Sequence, residues 1–319
     1  MKHFLALAMT ACGVAALACS SPVTATQACT DLATAVCNKT SECAPPVFTE
    51  VYGDVGTCVS RTTTSCEQAL AAPGTGDTPD FTDSCSQGYT SASCTDLLQN
   101  NQPQQCVRTT FGTVGAGSAC GADGQCSTGV CQIDPTTGCG TCIQPAQAGG
   151  ACKSSADCVA GLVCAATAQS TTTCVAPVGQ SQACSTAVPV IPCQAGLLCS
   201  GGNCVQPLAA GSACDPKNSQ CDTLNGYWCT PKGTRCVAIK FAGPGETCGY
   251  DSTSGDLTAC TGAGGAGGCQ NVDQKTLQGT CAAAAADGAA CDASKGPFCE
   301  PPANCISGTC QVVDPSTCH

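Results

Sequence analysis

Two kinds of patterning divide this chain. From Ala28 to Cys43, helical spacing collects Cys29, Leu32, Ala33, Val36 and Cys43 on one face, with Cys37 at its margin and Asp31, Thr34, Asn38 and Glu42 opposite. Apolar positions at that period mark an amphipathic helix, here with cysteines on its buried side. Further helices are expected over Val47–Val51, Thr57–Leu70 and Phe81–Leu98, although Cys94 falls off the face set by Phe81, Cys85 and Tyr89. The segment Ala71–Pro79, with Gly74, Gly76 and two prolines, reads as a linker, because glycine and proline punctuate regular structure.

The helical period stops at the Thr-rich join 107–114, and a different regularity replaces it. Six units follow, 115–145, 146–177, 178–208, 209–242, 243–283 and 284–319, with first cysteines at 120, 152, 184, 214, 248 and 291. The intervals are 32, 32, 30, 34 and 43 residues, an elastic repeat. Five units carry glycine three residues before that cysteine, at Gly117, Gly149, Gly211, Gly245 and Gly288; the third has Gly179 five residues ahead of Cys184. Glycine fixed at one place implies a turn with positive φ or a close backbone approach. A second signature, cysteine, a few residues, glycine, one or two mostly apolar residues, cysteine, recurs in Cys126–Gly129–Cys131, Cys158–Gly161–Cys164, Cys193–Gly196–Cys199 and Cys221–Gly226–Cys229. Units five and six follow it less closely. Segments this short suit tight turns and two-stranded hairpins, not helices.

Cysteine content then fixes the class. Thirty-six of 319 residues are cysteine and only 3% are aromatic, so covalent staples must replace a bulky core, as in exported disulfide scaffolds. The helical region, 28–106, holds Cys29, Cys37, Cys43, Cys58, Cys66, Cys85, Cys94 and Cys106, which permit 105 connectivities. The units hold Cys120, Cys126, Cys131, Cys139 and Cys142; Cys152, Cys158, Cys164 and Cys174; Cys184, Cys193, Cys199 and Cys204; Cys214, Cys221, Cys229 and Cys236; Cys248, Cys260, Cys269 and Cys281; and Cys291, Cys299, Cys305, Cys310 and Cys318. All are expected in disulfides of unassigned pairing. The first and last units each have a fifth cysteine; Cys142 and Cys318 are the candidates for the extras, pairing either locally or with each other. The predicted architecture is small and disulfide-rich: an all-α disulfide-bonded N-terminal domain, then an extended tandem array of short β-hairpin and loop cysteine modules.

The first residues give an address. Lys2 precedes the apolar stretch Phe4–Leu17, and Ala16-Leu17-Ala18 precedes Cys19, a signal-peptide pattern over 1–18 that is short for a membrane span. Ala16-Leu17-Ala18-Cys19 resembles a bacterial lipobox, with Ala16 where leucine is usual, which leaves ordinary secretion open. The resemblance implies a lipid on Cys19, a tether over 19–27, and, with Ser20 following, delivery to the outer membrane. Lipidation at Cys19 leaves 34 cysteines, an even number; a mature chain beginning at Cys12 would leave 35.

The units resemble the Dickkopf amino-terminal cysteine-rich pattern and its EB-module and EGF-like relatives. The whole plan is similar to cysteine-rich lipoproteins of unknown function in large-genome Gram-negative bacteria. These resemblances imply extracellular residence and binding work.

Candidate chemistries are few. The histidines are His3, in the leader, and His319, the last residue, so catalysis that depends on an imidazole is nearly excluded. Cys139-Gly140-Thr141-Cys142 is the sole C-x-x-C, too little for a zinc site and without the βαβ setting of a redox pair. Gly262–Gly267 matches G-x-G-x-x-G but has no flanking strand and helix to cradle phosphate. Weak calcium binding at loop aspartates stays open. Asn38-Lys39-Thr40 is a glycosylation sequon, without meaning in the bacterial setting that the lipobox resemblance implies. A net charge of −11 argues against nucleic acid. Tyr227 and Trp228 form the bulky aromatic pair of the repeats, either packed over a disulfide or exposed as a binding anchor. The sequence therefore predicts a non-enzymatic protein without cofactor or metal, exported and lipid-anchored at the cell surface or secreted. Its partner is expected to be an extracellular protein or polysaccharide, its only membrane contact the lipid, and its role display, adhesion or matrix binding. A soluble inhibitor or ligand-like effector is the alternative.

Overall fold

The computed structural model describes residues 22–318, apart from residues 100, 219 and 263–267. Cys12, Cys19, the rest of the leader and most of Gly262–Gly267 lie outside the described residues, as do His3 and His319.

Five helices occupy the N-terminal region among the described residues: α1 (Ala25–Cys43), α2 (Pro45–Tyr52), α3 (Val55–Ala71), α4 (Pro79–Ser91) and α5 (Cys94–Leu98). Local chemistry sets their ends. The Thr24 hydroxyl caps α1 by accepting from the Gln27 N–H, Asp54 caps α3 by accepting from the Thr57 N–H, and Thr78 caps α4 by accepting from the Phe81 N–H. Pro45 and Pro46 end α1 and open α2, since proline fits a first turn but has no N–H for an interior. The stretch Phe81–Leu98, expected as one helix, is two. Ala92 and Ser93 are extended, and the Ser93 hydroxyl caps α5. The break re-aims Cys94, which is why it falls off the face of Cys85.

α1 is the central helix, with α3 and α4 packed along it. Cys29–Cys66 and Cys37–Cys58 staple it to α3, Cys43–Cys94 ties its end to α5, and Cys85–Cys106 ties α4 to the turn Gln104–Cys106. Cys37 is fully buried with Phe48 and Cys58 around it, at the centre of the packed face and not its margin.

The linker 71–79 and the join 107–114 are pinned together. Arg108 donates from Nε and Nη2 to the two carboxylate oxygens of Asp77 at 2.7 and 3.0 Å, and the Thr113 N–H donates to the Gly74 carbonyl.

The six units share one plan. Each has a hairpin: β2 (Val130–Ile133) with β3 (Gly140–Ile143), β4 (Val163–Ala168) with β5 (Thr171–Val175), β6 (Leu198–Ser200) with β7 (Asn203–Val205), β8 (Tyr227–Thr230) with β9 (Arg235–Ala238), β13 (Cys269–Gln270) with β14 (Gln278–Cys281), and β15 (Asn304–Ile306) with β16 (Thr309–Gln311). The first unit adds β1 (Ala119–Cys120) beside β3; the fifth adds β10 (Lys240–Ala242), β11 (Thr247–Tyr250) and β12 (Leu257–Cys260), giving a sheet ordered β10-β12-β11-β14-β13.

The last two cysteines of each plan face one another across the hairpin, as in Cys164 opposite Cys174, yet never bond to each other. Instead the first cysteine pairs with the third and the second with the fourth, for example Cys214–Cys229 with Cys221–Cys236. This crossed pair lashes the leading loop onto the hairpin and fills the interior: buried cysteines dominate the core of the first, second, fourth and fifth units and share that of the sixth with Ala285 and Ala303.

The position three before the first cysteine is the pivot. Its N–H donates to the carbonyl of the fourth cysteine at 2.8 Å in all six units. The five glycines there have φ between 76° and 84°. In the third unit the residue is Ser181, held at φ 65°, so the geometry persists where glycine is missing; Gly179 opens the same turn, its carbonyl accepting from the Gln182 N–H. Six residues before the first cysteine a small apolar residue, Val114, Ala146, Val178, Leu208, Ala242 or Ala285, bridges in parallel to the second cysteine. Val114, Leu208 and Ala242 precede the starts suggested by glycine position alone.

The units do not extend as a rod. Neighbours are joined in turn by Gln132 Nε2 to Asp157, Val190 N–H to Ala166 O, Gln220 Nε2 to Ser200 Oγ, Thr230 Oγ1 to Gly255 O, and Gln270 Nε2 to Lys295 O. The sixth then returns to the first through Cys139–Cys318, which spans 179 residues and closes a ring. The additional cysteine of the first unit is therefore Cys139; Cys142 is that unit's fourth, bonded to Cys126. The ring lies against the helical region. Arg61 of α3 donates to both carboxylate oxygens of Asp287 at 2.5 and 2.7 Å and to the carbonyls of Glu300 and Pro301, while the Gly262 N–H donates to Thr49 O of α2.

Candidate functional site

The crossed disulfides define the chemistry of the cysteines. Sulfurs of Cys120, Cys126 and Cys131, and of the matching trios in other units, lie within 4.8 Å of one another, as zinc ligands would. They belong to two stacked disulfides, and metal binding needs thiolates. Among the described residues all 34 cysteines are bonded in 17 pairs, and the C-x-x-C cysteines belong to different bonds, Cys139–Cys318 and Cys126–Cys142.

Loop aspartates are committed to their own turns. Asp134 accepts from the Thr136 N–H and hydroxyl, Asp251 from the Thr253 N–H and Ser254 hydroxyl, and Asp292 from the Ser294 and Lys295 N–H groups. These donors hold the three carboxyls below the usual range. Asp157 is buried, 1% exposed. Burial pushes it up, but the N–H groups of Lys153 and Ser154 and the Gln132 amide outweigh that and leave it lowered. It fixes the turn of the second unit and its joint to the first.

Tyr227 and Trp228 sit on β8 with different surroundings. Tyr227 packs on the cluster of Cys221, Cys229 and Cys236. Trp228 meets Tyr250 of the fifth unit edge-on, ring centres 5.6 Å apart, at the joint where Thr230 bonds Gly255. Both aromatics are half-buried.

Two placements had no strong sequence signal. Arg61 and Arg108, single cations in neutral stretches, anchor the ring to α3 and the linker to the join. A third was readable: Cys29 and Cys37, like Cys58 and Cys66, are eight residues apart, and equal spacing on two antiparallel helices permits the observed ladder.

Fold and bonding together define a disulfide-rich repeat protein, a helical region enclosed with a ring of cysteine-stapled units. No family model, curated protein or solved structure matches the chain at a significant level. Among the described residues no helix is long and apolar enough to cross a membrane.

Proposed function

We propose that this is an exported, non-enzymatic binding protein, tethered through lipid on Cys19, that displays its ring of units for adhesion or for binding an extracellular protein or polysaccharide. The observation that carries the reading is the continuous disulfide bonding of the described chain, which is maintained in oxidising compartments and is rare in reducing ones. The resemblance of the units to Dickkopf-amino-terminal, EB and EGF-like modules supports the same role. Ring closure removes the stalk-like reach of an extended array. It presents loop tips from several units on one rigid body, where weak contacts add through avidity.

That closure also favours the second reading, a soluble inhibitor or ligand-like effector, because a compact body needs no anchor to present its loops. Palmitate labelling in cells, with a Cys19→Ser control, separates the two: label on the wild type that the control loses supports the tether, and an unlabelled wild type removes it. Crosslinking the intact protein on cells and identifying what it captures tests the binding role itself; repeated failure to capture a protein or glycan overturns it.

A further inference from the structure

A groove of about 290 Å³ opens on the sheet of the fifth unit, where α2 comes against it. This is near the small end of ligand sites, which span roughly 300 to 1,000 Å³, and suits one side chain better than a drug-sized molecule. Ile239, Leu257, Val272 and Leu277 are its large aliphatic lining, and Thr258 and Glu50 are among its other lining residues. Its floor includes Gly249 on β11 at φ 99°, where an added Cβ would strike the Leu277 carbonyl; the absent side chain leaves the sheet open there.

Two features distinguish this groove. Val272 and Leu277 are 39% and 45% exposed, and Leu277 is held at φ 57°, a conformation that glycine or asparagine would adopt at less cost. Glu50, also in the lining, is half-buried and has no hydrogen bond or ion pair among the described residues. Burial pushes its carboxyl up, since the charge is drawn from water. Lys240, next in the chain to the lining residue Ile239, is committed to Asp256 at 2.5 Å.

An aliphatic trough lined also by a carboxylate that has no partner among the described residues is complementary to a cation on a methylene stem. Arginine would gain from an aromatic face to stack on, and the walls are aliphatic. We infer that this groove receives a lysine side chain of a partner protein, its methylenes on Leu257, Val272 and Leu277 and its ammonium on Glu50. The inference deepens the binding role proposed above and rests on it only for there being a partner.

The test uses the whole oxidised protein with labelled methyl groups, titrated with an acetylated pentapeptide of alanine carrying one central lysine, and with its norleucine counterpart. Saturable shifts confined to Ile239, Leu257, Val272 and Leu277 are expected, with the norleucine peptide about tenfold weaker, the loss of one charge-assisted contact. Glu50→Gln should erase that difference. Leu277→Asn, which suits positive φ and so preserves the fold, should weaken the lysine peptide by about threefold or more. Absence of saturable shifts, equal binding of the two peptides, or a preference surviving Glu50→Gln overturns the inference; so does spermidine binding as well as the peptide, which would make this a polyamine site. If Glu50→Gln leaves capture of partners on cells unchanged, the groove fails while the binding role stands. Peptide binding without any captured partner would reverse that outcome.

Discussion

In the helical region disulfides join surfaces that already pack, whereas in the units they are the interior. Around Cys37–Cys58 lie Phe48, Tyr52, Val55 and Val59, and α1 buries Ala28 and Ala33 besides its cysteines. Around Cys221–Cys236 the buried neighbour is Cys229, with Leu208, Cys214 and Tyr227 partly covering it. Helices also satisfy their backbone groups locally, while each unit closes its leading loop through a few bonds to the fourth cysteine. The same covalent bond is thus a reinforcement in one region and the fold itself in the other.

The sharpest way to break this comparison is to remove one bond from each region. Cys221→Ala with Cys236→Ala, and Cys37→Ala with Cys58→Ala, each free a loop whose closure contributes about 3 kcal/mol. Despite that similarity, the fourth unit should lose its amide-exchange protection throughout β8 and β9, while α1 and α3 keep most of theirs. Equal loss in both regions would show that the helices depend on sulfur as much as the units do.

Next comes the clasp between the first and sixth units. A free chain closed over the span of Cys139–Cys318 would gain about 5 kcal/mol, and the intervening staples reduce that by already restricting the unfolded chain. Cys139→Ser with Cys318→Ser should leave the ring shut, because Arg61 still holds Asp287, Glu300 and Pro301. Adding Arg61→Ala to that pair should open it, read as a larger radius of gyration by small-angle scattering with every unit still folded. No expansion of the triple variant would place the closure elsewhere.

Local features were legible in the sequence, and distant ones were not. The α1 face, the pivot glycines and the hairpins follow from period and spacing, since each depends on residues within one turn or one loop. The helix break at Ala92–Ser93 was signalled only by Cys94 being off-face. Crossed pairing was hidden because the third and fourth cysteines face each other across the hairpin, which makes the bond between them look closest. Ring closure depends on Arg61 meeting Asp287 and on Cys139 meeting Cys318, contacts no local pattern encodes. At the candidate groove, Glu50 and Leu277 come from α2 and the fifth unit, 227 positions apart in the chain, so neither stood out alone.

The pivot position offers a smaller and signed test within the ring. Ser181→Gly should raise the stability of the third unit by about 0.5–1 kcal/mol, relieving positive φ, and Gly211→Ala should lower that of the fourth by about 1–2 kcal/mol. Both are measurable by exchange of the hairpin amides. A destabilising Ser181→Gly would mean that the hydroxyl, and not the backbone, maintains that turn.

The smallest effect returns to the helices and separates their caps by charge. Asp54 accepts from the Thr57 N–H and hydroxyl, which hold its carboxyl below the ordinary value, while α1 and α4 are capped by threonine hydroxyls that do not titrate. A carboxyl lowered by folding contributes stability that is present in full above its unfolded value and is lost as pH falls through the folded one. Acid should therefore loosen the first turn of α3, starting as pH drops below about 4, with the starts of α1 and α4 unaffected. Asp54→Ala should remove the pH dependence and cost about 1 kcal/mol at neutral pH. Amide exchange at Thr57 and Cys58, followed across pH against Gln27 and Phe81, reads the difference directly; parallel loss at all three helices would assign the acid response to the chain's net charge instead of to this cap.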